Sequence, residues 1–153
     1  MASGTTNRSL YTILGYVFRA QTLPTNFYVA LVTSAVTPTV DTNVLGDLTQ
    51  IASGNGYTSG GFQLSPNATD FDTWTEDDTA DTAFVQCKDV AWTAAGGSIP
   101  SSGDGARWGI LTDDNATVAN RIVFGWVDLS SDRAATVGQV LTLPDVEFQL
   151  GHP

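Results

Sequence analysis

Few side chains in this sequence belong to the types that act as catalytic acids, bases or nucleophiles. Histidine occurs once, at position 152, next to the last residue of the sequence, where chain ends are usually mobile. A Ser-His-Asp or Cys-His arrangement holds its base beside the nucleophile, so His152 is a poor candidate for that base. The single cysteine, Cys87, lies within an apolar run and is expected to pack as a small apolar side chain. These residue types favour a structural or binding protein over an enzyme.

Carboxylates are the most abundant reactive groups, and they concentrate in one segment. Residues 70–81, DFDTWTEDDTAD, hold six of the sixteen acidic side chains. Such a loop can bind calcium, yet Trp74 stands where a calcium-binding loop places a ligand, and no glycine follows it. We therefore expect an open, solvated loop without a metal ion. A glycosidase needs two carboxylates about 5–10 Å apart beside aromatic subsites, whereas Trp108 and Trp126 lie in strand-like runs that indicate core positions.

The glycine-rich run at 54–61, GNGYTSGG, is the segment with the composition of a phosphate-binding loop. It lacks both the Lys-Ser/Thr pair and the G-x-G-x-x-G spacing, and no strong helical pattern follows it. Tight turns and a bulge account for these glycines, because glycine adopts backbone conformations that other residues avoid. We therefore predict no nucleotide and no other cofactor.

The balance of charge argues against two classes of partner. Sixteen acidic and six basic residues give a net charge of −10, and the basic residues are scattered along the sequence. A surface of this sign repels the phosphates of nucleic acids and of anionic lipids, so we expect neither nucleic acid nor a membrane as partner. The apolar run from Leu10 to Phe18 is far shorter than the ~20 residues that cross a bilayer. We expect a soluble chain made in the cytoplasm.

Length and composition predict the class of fold. The 153 residues suffice for one domain with its own core, and only 14% of them are charged, while Thr, Ser, Gly and Asp are abundant. This composition favours short strands and turns over long helices. We predict a mainly β fold of β-sandwich or jelly-roll-like type with about six to eight strands. An N-terminal arm and helix occupy 1–22, and a β-rich body occupies 26–150.

One segment has clear helical periodicity. Ser9 is a suitable N-cap, and the apolar residues that follow recur at the spacing of an amphipathic helix: Leu10, Ile13, Leu14, Val17 and Phe18. We expect this stripe to pack on the chain's own sheet, with docking on another subunit as the alternative. Residues 1–7 are small and polar and are expected to form a mobile arm.

The sequence from 106 to 129 predicts a central hairpin of two apolar strands. Side chains alternate between the faces of a strand, so one face carries five large residues and should lie in the core: Trp108, Ile110, Ile122, Phe124 and Trp126. The opposite face is also apolar and carries Gly109, Leu111, Val123, Gly125 and Val127. Such a face is not left in water, so we expect either a helix of the same chain or a neighbouring subunit to cover it.

Three further segments have the composition of strands. Residues 26–33 are rich in β-branched and aromatic side chains, which is typical of a buried strand. The run at 82–94 alternates imperfectly, which indicates a bulge near Lys88 and Asp89. In the run at 139–150, Pro144 interrupts the alternation and predicts an edge strand or a kink.

Several sequence motifs, in their order and spacing, resemble those of a known group of proteins. The motifs are DLTQIASGNGYTSGG at 47–61, DVAWTAAGGSIPSSG at 89–103, ARWGILTDD at 106–114 and FGWVDLSS at 124–131. Together they are similar to small acidic virion proteins of tailed bacteriophages, over most of the chain from about Tyr28 onward. The resemblance implies a β-rich virion component, and a frequent role for such chains is capsid decoration, also called cement. Such proteins commonly sit as trimers on the outer face of the head and bridge neighbouring capsomers.

This resemblance implies partners and a contact region. The partners are the major capsid protein and further copies of the chain, forming a homotrimer on the outside of the capsid. We expect the contacts to come from the N-terminal segment and from two exposed loops, with these candidate residues: Arg8, Tyr11, Tyr16, Trp74, Asp113, Asp114 and Asn115. The alternative is a tail or fibre component with a carbohydrate-binding, lectin-like role, in which the acidic loop binds calcium and a tryptophan stacks on sugar.

Overall fold

This computed structural model describes residues 3–144 and 146–151, which contain ten strands and one α-helix. The helix is α1 (Asn7–Phe18). The strands are β1 (Ser3–Thr5), β2 (Phe27–Val32), β3 (Phe62–Leu64), β4 (Thr73–Asp77), β5 (Thr82–Cys87), β6 (Val90–Thr93), β7 (Ala106–Thr112), β8 (Val123–Arg133), β9 (Val140–Leu143) and β10 (Val146–Gly151). This architecture confirms the predicted class, a mainly β, sandwich-like fold with one N-terminal helix.

The strands form three antiparallel sheets. The five-stranded sheet has the order β1-β8-β7-β2-β3, the three-stranded sheet has the order β10-β5-β4, and β6 pairs with β9. The predicted hairpin of β7 and β8 lies at the centre of the largest sheet, where Gly109 pairs with Val127 and Leu111 pairs with Gly125. Its strands are the longest in the described part of the chain, so the hairpin sets the position of its neighbours.

A register shift within this hairpin changes which residues share a face. The pairing moves from Leu111 with Gly125 to Thr112 with Val123, so one residue of β8 is passed over. As a result, Phe124 packs in the larger core with Leu111, while Val123 packs in a smaller core with Ile110. The predicted placement of Ile122, Val123 and Phe124 is therefore wrong, because a bulge reverses the alternation on which it rested.

The second apolar face of the hairpin is covered by other strands of the same chain. Leu143 of β9 lies where a Cβ at Gly109 would point, and Phe148 of β10 lies against Gly125 in the same way. Leu111 and Val127 are buried between them. The expectation that a helix of the same chain covers this face holds only in part: Ile13 and Tyr16 of α1 pack against the same cluster, but β-strands from the end of the chain form the second layer of the sandwich. The alternative, a neighbouring subunit, is not needed to cover it.

Two predicted strands each divide at a bend, and the two bends face each other. The run at 82–94 ends β5 at Cys87 and begins β6 at Val90, while the run around Pro144 ends β9 at Leu143 and begins β10 at Val146. Cys87 pairs with Val146 and Val90 pairs with Leu143, so the paired ribbon bends once. This division helps to explain why the described residues hold more strands than we predicted.

Two further departures lie in segments that we expected to be unstructured. Residues 3–5 form β1, whose partner residues are 125–127 of β8, instead of a mobile arm. The acidic segment at 70–81 contains β4, which pairs with β5. In both cases the backbone hydrogen bonds of a neighbouring strand order a polar segment that has no apolar pattern of its own.

The helix begins earlier than its apolar stripe indicates. Thr6, and not Ser9, is the N-cap: its Oγ1 accepts a hydrogen bond from the Ser9 N–H at 2.9 Å and donates one to the Val123 carbonyl at 2.6 Å. Thr6 is fully buried, so the cap also anchors α1 to the end of β8. Within the described residues, no helix is long and apolar enough to cross a membrane.

Candidate interaction surface

The helix packs on the sandwich through its small and polar residues. The buried residues of α1 are Ser9, Thr12 and Gly15. The hydroxyl of Ser9 donates to the Thr6 carbonyl at 2.7 Å, and that of Thr12 donates to the Arg8 carbonyl at 2.8 Å. Because both hydroxyls are satisfied by the helix's own backbone, their burial requires no polar partner in the sheet.

The apolar stripe of α1 consequently points away from its own sheet. We call it the outer face of α1, and its side chains are 43–73% exposed: Leu10, Tyr11, Leu14, Val17 and Phe18. Of the predicted stripe, Ile13 packs against the core as a half-buried side chain. The prediction that the stripe packs on the chain's own sheet is therefore wrong for every member except Ile13. An apolar helix face left in water is a mark of an interaction site.

Beside the helix lies an apolar groove with a volume of about 760 Å³. Its floor includes Val85 of β5 and Phe148 of β10, which pair with each other, and Trp74 of β4, which pairs with Val85, stands at its edge. Ile13 and Tyr16 of α1 form one wall, and the segment around Phe71 forms the other. We call this the α1 groove.

Charges of opposite sign border these two surfaces. Arg8 and Arg19 are exposed at the two ends of α1. Beside the groove, the β4–β5 hairpin that carries Trp74 also carries four exposed acidic side chains: Glu76, Asp77, Asp78 and Asp81.

The other four basic residues are engaged within the chain. Lys88 forms an ion pair with Asp70 at 2.6 Å, and Arg107 forms one with Asp128 at 2.9 Å. Arg121 is buried, and Arg133 donates to the Leu129 carbonyl. The basic groups that remain for a partner therefore flank the outer face of α1.

Four of the predicted contact residues lie on or beside this region. Arg8 and Tyr11 are exposed on α1, with the Arg8 guanidinium 5.4 Å from the centre of the Tyr11 ring. Trp74 is 87% exposed at the edge of the groove. Tyr16 is half-buried in the groove wall, and burial together with the carboxylates of Asp113 and Asp114 raises the pKa of its hydroxyl.

The other three predicted contact residues hold a turn in place. The Asp113 carboxylate is buried and accepts hydrogen bonds from the Ile122 N–H at 2.9 Å and the Asn115 N–H at 3.4 Å. The Asp114 carboxylate accepts from two successive N–H groups, those of residues 25 and 26. Asn115 is exposed, but its amide oxygen accepts from the Thr117 N–H. Asp113 therefore does not present its carboxylate to a partner, and we leave it out of the contact surface.

Replacing Asp113 by Asn is expected to remove a pH dependence of stability. Burial raises the pKa of the Asp113 carboxyl, although the N–H groups of Ile122 and Asn115 act in the opposite direction. The folded state therefore binds the proton of the Asp113 carboxyl more tightly than the unfolded state does. The contribution of Asp113 to the free energy of unfolding falls as pH rises from about 4 through the pKa of the folded state. An amide oxygen accepts the same hydrogen bonds without titrating.

The expected result is that Asp113→Asn gains stability relative to the parent protein as pH rises from about 4, and that the difference then levels off. Urea midpoints of both proteins, measured at a series of pH values up to about 7, give this difference directly. Asp70 and Asp128, whose pKa values are lowered by Lys88 and Arg107, shift both proteins equally and cancel. A difference that stays constant with pH would contradict the assignment.

The single cysteine and the metal-ligating residue types can be placed in the described part of the chain. Cys87 is fully buried, and burial raises the pKa of its thiol to about 12. Residues 3–144 and 146–151 contain no group of three or more His, Cys, Asp or Glu side chains placed to hold a metal ion. His152 lies outside the described residues.

Sequence reasoning missed the residues that form most of this surface. The apolar spacing predicts core positions for Leu14, Val17 and Phe18. A second periodic signal lies on the opposite side of the helix, where the small residues Ser9, Thr12 and Gly15 recur at every third position. The groove had no local signal, because its floor joins side chains that are distant in the sequence. No protein-family model, curated protein or solved structure matches this chain.

Proposed function

We propose that this chain is a structural protein of a tailed-bacteriophage virion, a capsid decoration or cement protein that binds the outside of the head and stabilises its lattice. The observation that carries the proposal is the outer face of α1, an apolar helix face exposed on a well-packed β-sandwich. The sequence motifs that resemble those of small virion proteins also support a role in capsid decoration. The partners are the major capsid protein and further copies of the chain as a homotrimer.

Burial of the outer face provides a driving force for binding. Fully burying one large apolar side chain is worth roughly 1.5–3 kcal/mol, so the exposed fractions of Leu10, Leu14, Val17 and Phe18 correspond to about 4–7 kcal/mol before the costs of association. A decoration protein binds a repeating lattice, so a contact of this size acts many times on one particle. The helix is anchored by its buried cap, which preserves this face in the free protein.

The charge of the chain fits a protein on the outside of a shell. A net charge of −10 repels the packaged genome and keeps many copies soluble before they assemble. The acidic side chains of residues 76–81 lie on the exposed β4–β5 hairpin and are not part of the apolar outer face. Binding therefore buries an apolar helix face without burying this group of charges.

The test is binding to heads that were assembled without this protein. Replacing Leu14 and Val17 together by Glu is expected to weaken binding about 100-fold or more, since each tenfold corresponds to about 1.4 kcal/mol and two charges would be buried in an apolar contact. Both side chains are exposed, so the fold should persist. Co-sedimentation with heads gives the affinity, and circular dichroism with thermal melting verifies the fold.

The matched control is Val137→Glu, because Val137 is 63% exposed but lies in the loop before β9, away from α1. This variant is expected to bind heads like the parent protein. Substitutions are preferable to deletion of residues 1–20, since deletion also removes β1 and the buried cap Thr6. Unchanged binding by the folded Leu14/Val17 variant would refute the contact surface, and no binding by the parent protein would refute the function.

A second candidate function rests on Trp74, whose side chain is 87% exposed beside acidic residues. An exposed tryptophan is a stacking surface for a sugar ring, which fits a carbohydrate-binding tail or fibre component. Calorimetry with a panel of glycans, with and without calcium, separates the two functions. Binding of a glycan that is lost in Trp74→Ala supports the tail or fibre role, whereas a decoration protein shows no heat with any glycan.

A further inference from the structure

We infer that the outer face of α1 in one copy of the chain docks into the α1 groove of a second copy, so that copies associate head-to-tail into a closed ring. This inference rests on the proposed function and specifies how the outer face serves it: the face joins copies into the homo-oligomer, and the ring so formed is what binds the head lattice. The occupant of the groove is therefore a second copy of this chain. Shape, apolar area and charge support that choice.

The first support is that one copy carries a ridge and a groove that cannot meet within that copy. Ile13 and Tyr16 line the groove, while Leu10, Leu14 and Val17 lie further around the same helix and point away from it. The ridge of one molecule is therefore available only to the groove of another. Two different patches on each copy make a heterologous contact, which closes into a ring when the rotation between copies permits it.

The groove has room for the protruding side chains of the helix. Its volume of about 760 Å³ lies within the range of roughly 300–1,000 Å³ that buries most of a drug-sized molecule. Its lining is mostly aromatic and aliphatic, including Phe27, Phe71, Phe84 and Phe148. Leucine, valine and phenylalanine side chains from a partner helix match this lining chemically.

The second support is the apolar area on each copy. The exposed fractions of Tyr11, Phe18 and Trp74 leave roughly 350–550 Å² of aromatic surface in water, at about 150–250 Å² for each whole side chain. The exposed parts of four aliphatic side chains raise the total to roughly 500–800 Å²: Leu10, Leu14, Val17 and Leu23. A stable interface of standard size needs about 800 Å² on each partner. Each head-to-tail contact joins one ridge to one groove, so this total is the exposed apolar area that one contact removes from both partners together, before the half-buried lining of the groove and the polar rim are added. It exceeds the roughly 300–600 Å² of the largest patch on an ordinary monomer.

The third support is charge. Copies with a net charge of −10 repel one another, so an interface between them must bring the few basic groups against acidic ones. Arg8 and Arg19 flank the ridge, whereas Asp72 lines the groove and Glu76 pairs with Ala83, another residue of the groove lining. Docking of ridge into groove therefore opposes charges of unlike sign, which selects this arrangement over ridge against ridge.

A mixing experiment tests the head-to-tail contact. The ridge variant carries Leu14→Glu and Phe18→Glu with an intact groove, and the groove variant carries Trp74→Glu and Ala83→Glu with an intact ridge. All four side chains are exposed, so both variants should remain folded. Light scattering coupled to size-exclusion chromatography gives the mass of each variant and of their equimolar mixture.

The expected result is that the parent protein and Val137→Glu are oligomers, that each variant alone is a monomer, and that the mixture forms a one-to-one heterodimer. The heterodimer arises because the mixture contains one intact ridge and one intact groove, and it stops there because the other two surfaces are blocked. A groove variant that remains oligomeric indicates ridge against ridge and overturns the inference. A mixture of monomers also overturns it.

The same proteins separate this inference from the proposed function. A parent protein that is monomeric in solution yet binds heads overturns the ring contact and leaves the decoration function standing. An oligomer that passes the mixing test but does not bind heads supports the contact and counts against the decoration function. Circular dichroism of each variant verifies that a loss of mass reflects the interface and not unfolding.

Discussion

Replacing Leu143 by Ala is expected to lower the free energy of unfolding by about 3–5 kcal/mol, near the upper end of the range for leucine in a core. Leu143 is fully buried and covers Gly109 at the centre of the hairpin. The cost depends on how far the surroundings collapse into the space left behind. Glycine has no side chain that could move into that space, so the cavity should remain largely open.

A second substitution, at Gly109, tests whether Leu143 and Gly109 share one space in the core. A Cβ at Gly109 would overlap with Leu143 Cδ2 and lie 2.9 Å from Val127 Cγ1, so Gly109→Ala alone is expected to destabilise the protein. In the Leu143→Ala background the same methyl group enters the cavity. The double variant should therefore be more stable than the sum of the two single effects predicts, by about 1–2 kcal/mol. Urea unfolding of the four proteins measures this coupling, and strict additivity would show that the two residues do not share the space.

Replacing Arg121 by Met is expected to cost about 2–4 kcal/mol of stability, because its buried guanidinium makes charge-assisted hydrogen bonds worth about 1.5–3 kcal/mol each. Its Nη1 donates to the Gly60 carbonyl at 3.0 Å and its Nε donates to the Asn115 carbonyl at 3.2 Å. The guanidinium also lies 3.7 Å from the centre of the Tyr28 ring, a cation–π contact. Arg121 thus joins the glycine-rich turn, the loop of the hairpin and β2.

The matched control is Arg107→Met. Arg107 also lies over an aromatic ring, that of Trp108, and pairs with Asp128, but its side chain is partly exposed. Removing a solvated ion pair of this kind costs at most about 1 kcal/mol. Thermal or urea unfolding of the two variants is expected to give a clearly larger loss for Arg121. Equal losses would show that the buried hydrogen bonds of Arg121 contribute no more than a surface pair.

Both predictions concern contacts that hold the sandwich beneath the proposed interaction surface. Leu143 joins the hairpin to its covering layer, and Arg121 joins the hairpin loop to the turn at Gly60. The helix, by contrast, is held by a cap and a few small residues. Loss of stability should therefore follow from core variants, and loss of binding from variants on the outer face of α1, which allows the two effects to be measured separately.

The predictions from sequence succeeded where the signal is local. The mainly β class, the N-terminal helix and the hairpin at 106–129 were predicted from composition and from periodicity over short windows, because neighbouring side chains alone set these patterns. Pro144 marked a bend because proline cannot donate a backbone hydrogen bond within a ladder. The burial of Cys87 was foreseen for a similar reason, since it lies within an apolar strand.

The predictions that failed concern which surfaces meet. The stripe from Leu10 to Phe18 has the pattern of a core-facing helix, but Thr6 is fixed to β8 by its hydroxyl, and that anchor turns the side with Ser9 and Thr12 inward. The bulge that moves Phe124 depends on hydrogen bonds between two strands and leaves no trace in a single strand's alternation.

The kinds of elements that this chain forms follow from its local sequence, because helix and strand periodicity arise from residues that are close together along the chain. The outward orientation of the apolar side of α1, and the meeting of Ile13, Trp74 and Phe148 in one groove, follow from the packing of the whole chain. These three residues come from distant parts of the chain, and their meeting depends on the order of strands in the sheets. The proposed surface is thus a product of packing, since no local pattern encodes which faces are left uncovered once the sandwich has formed.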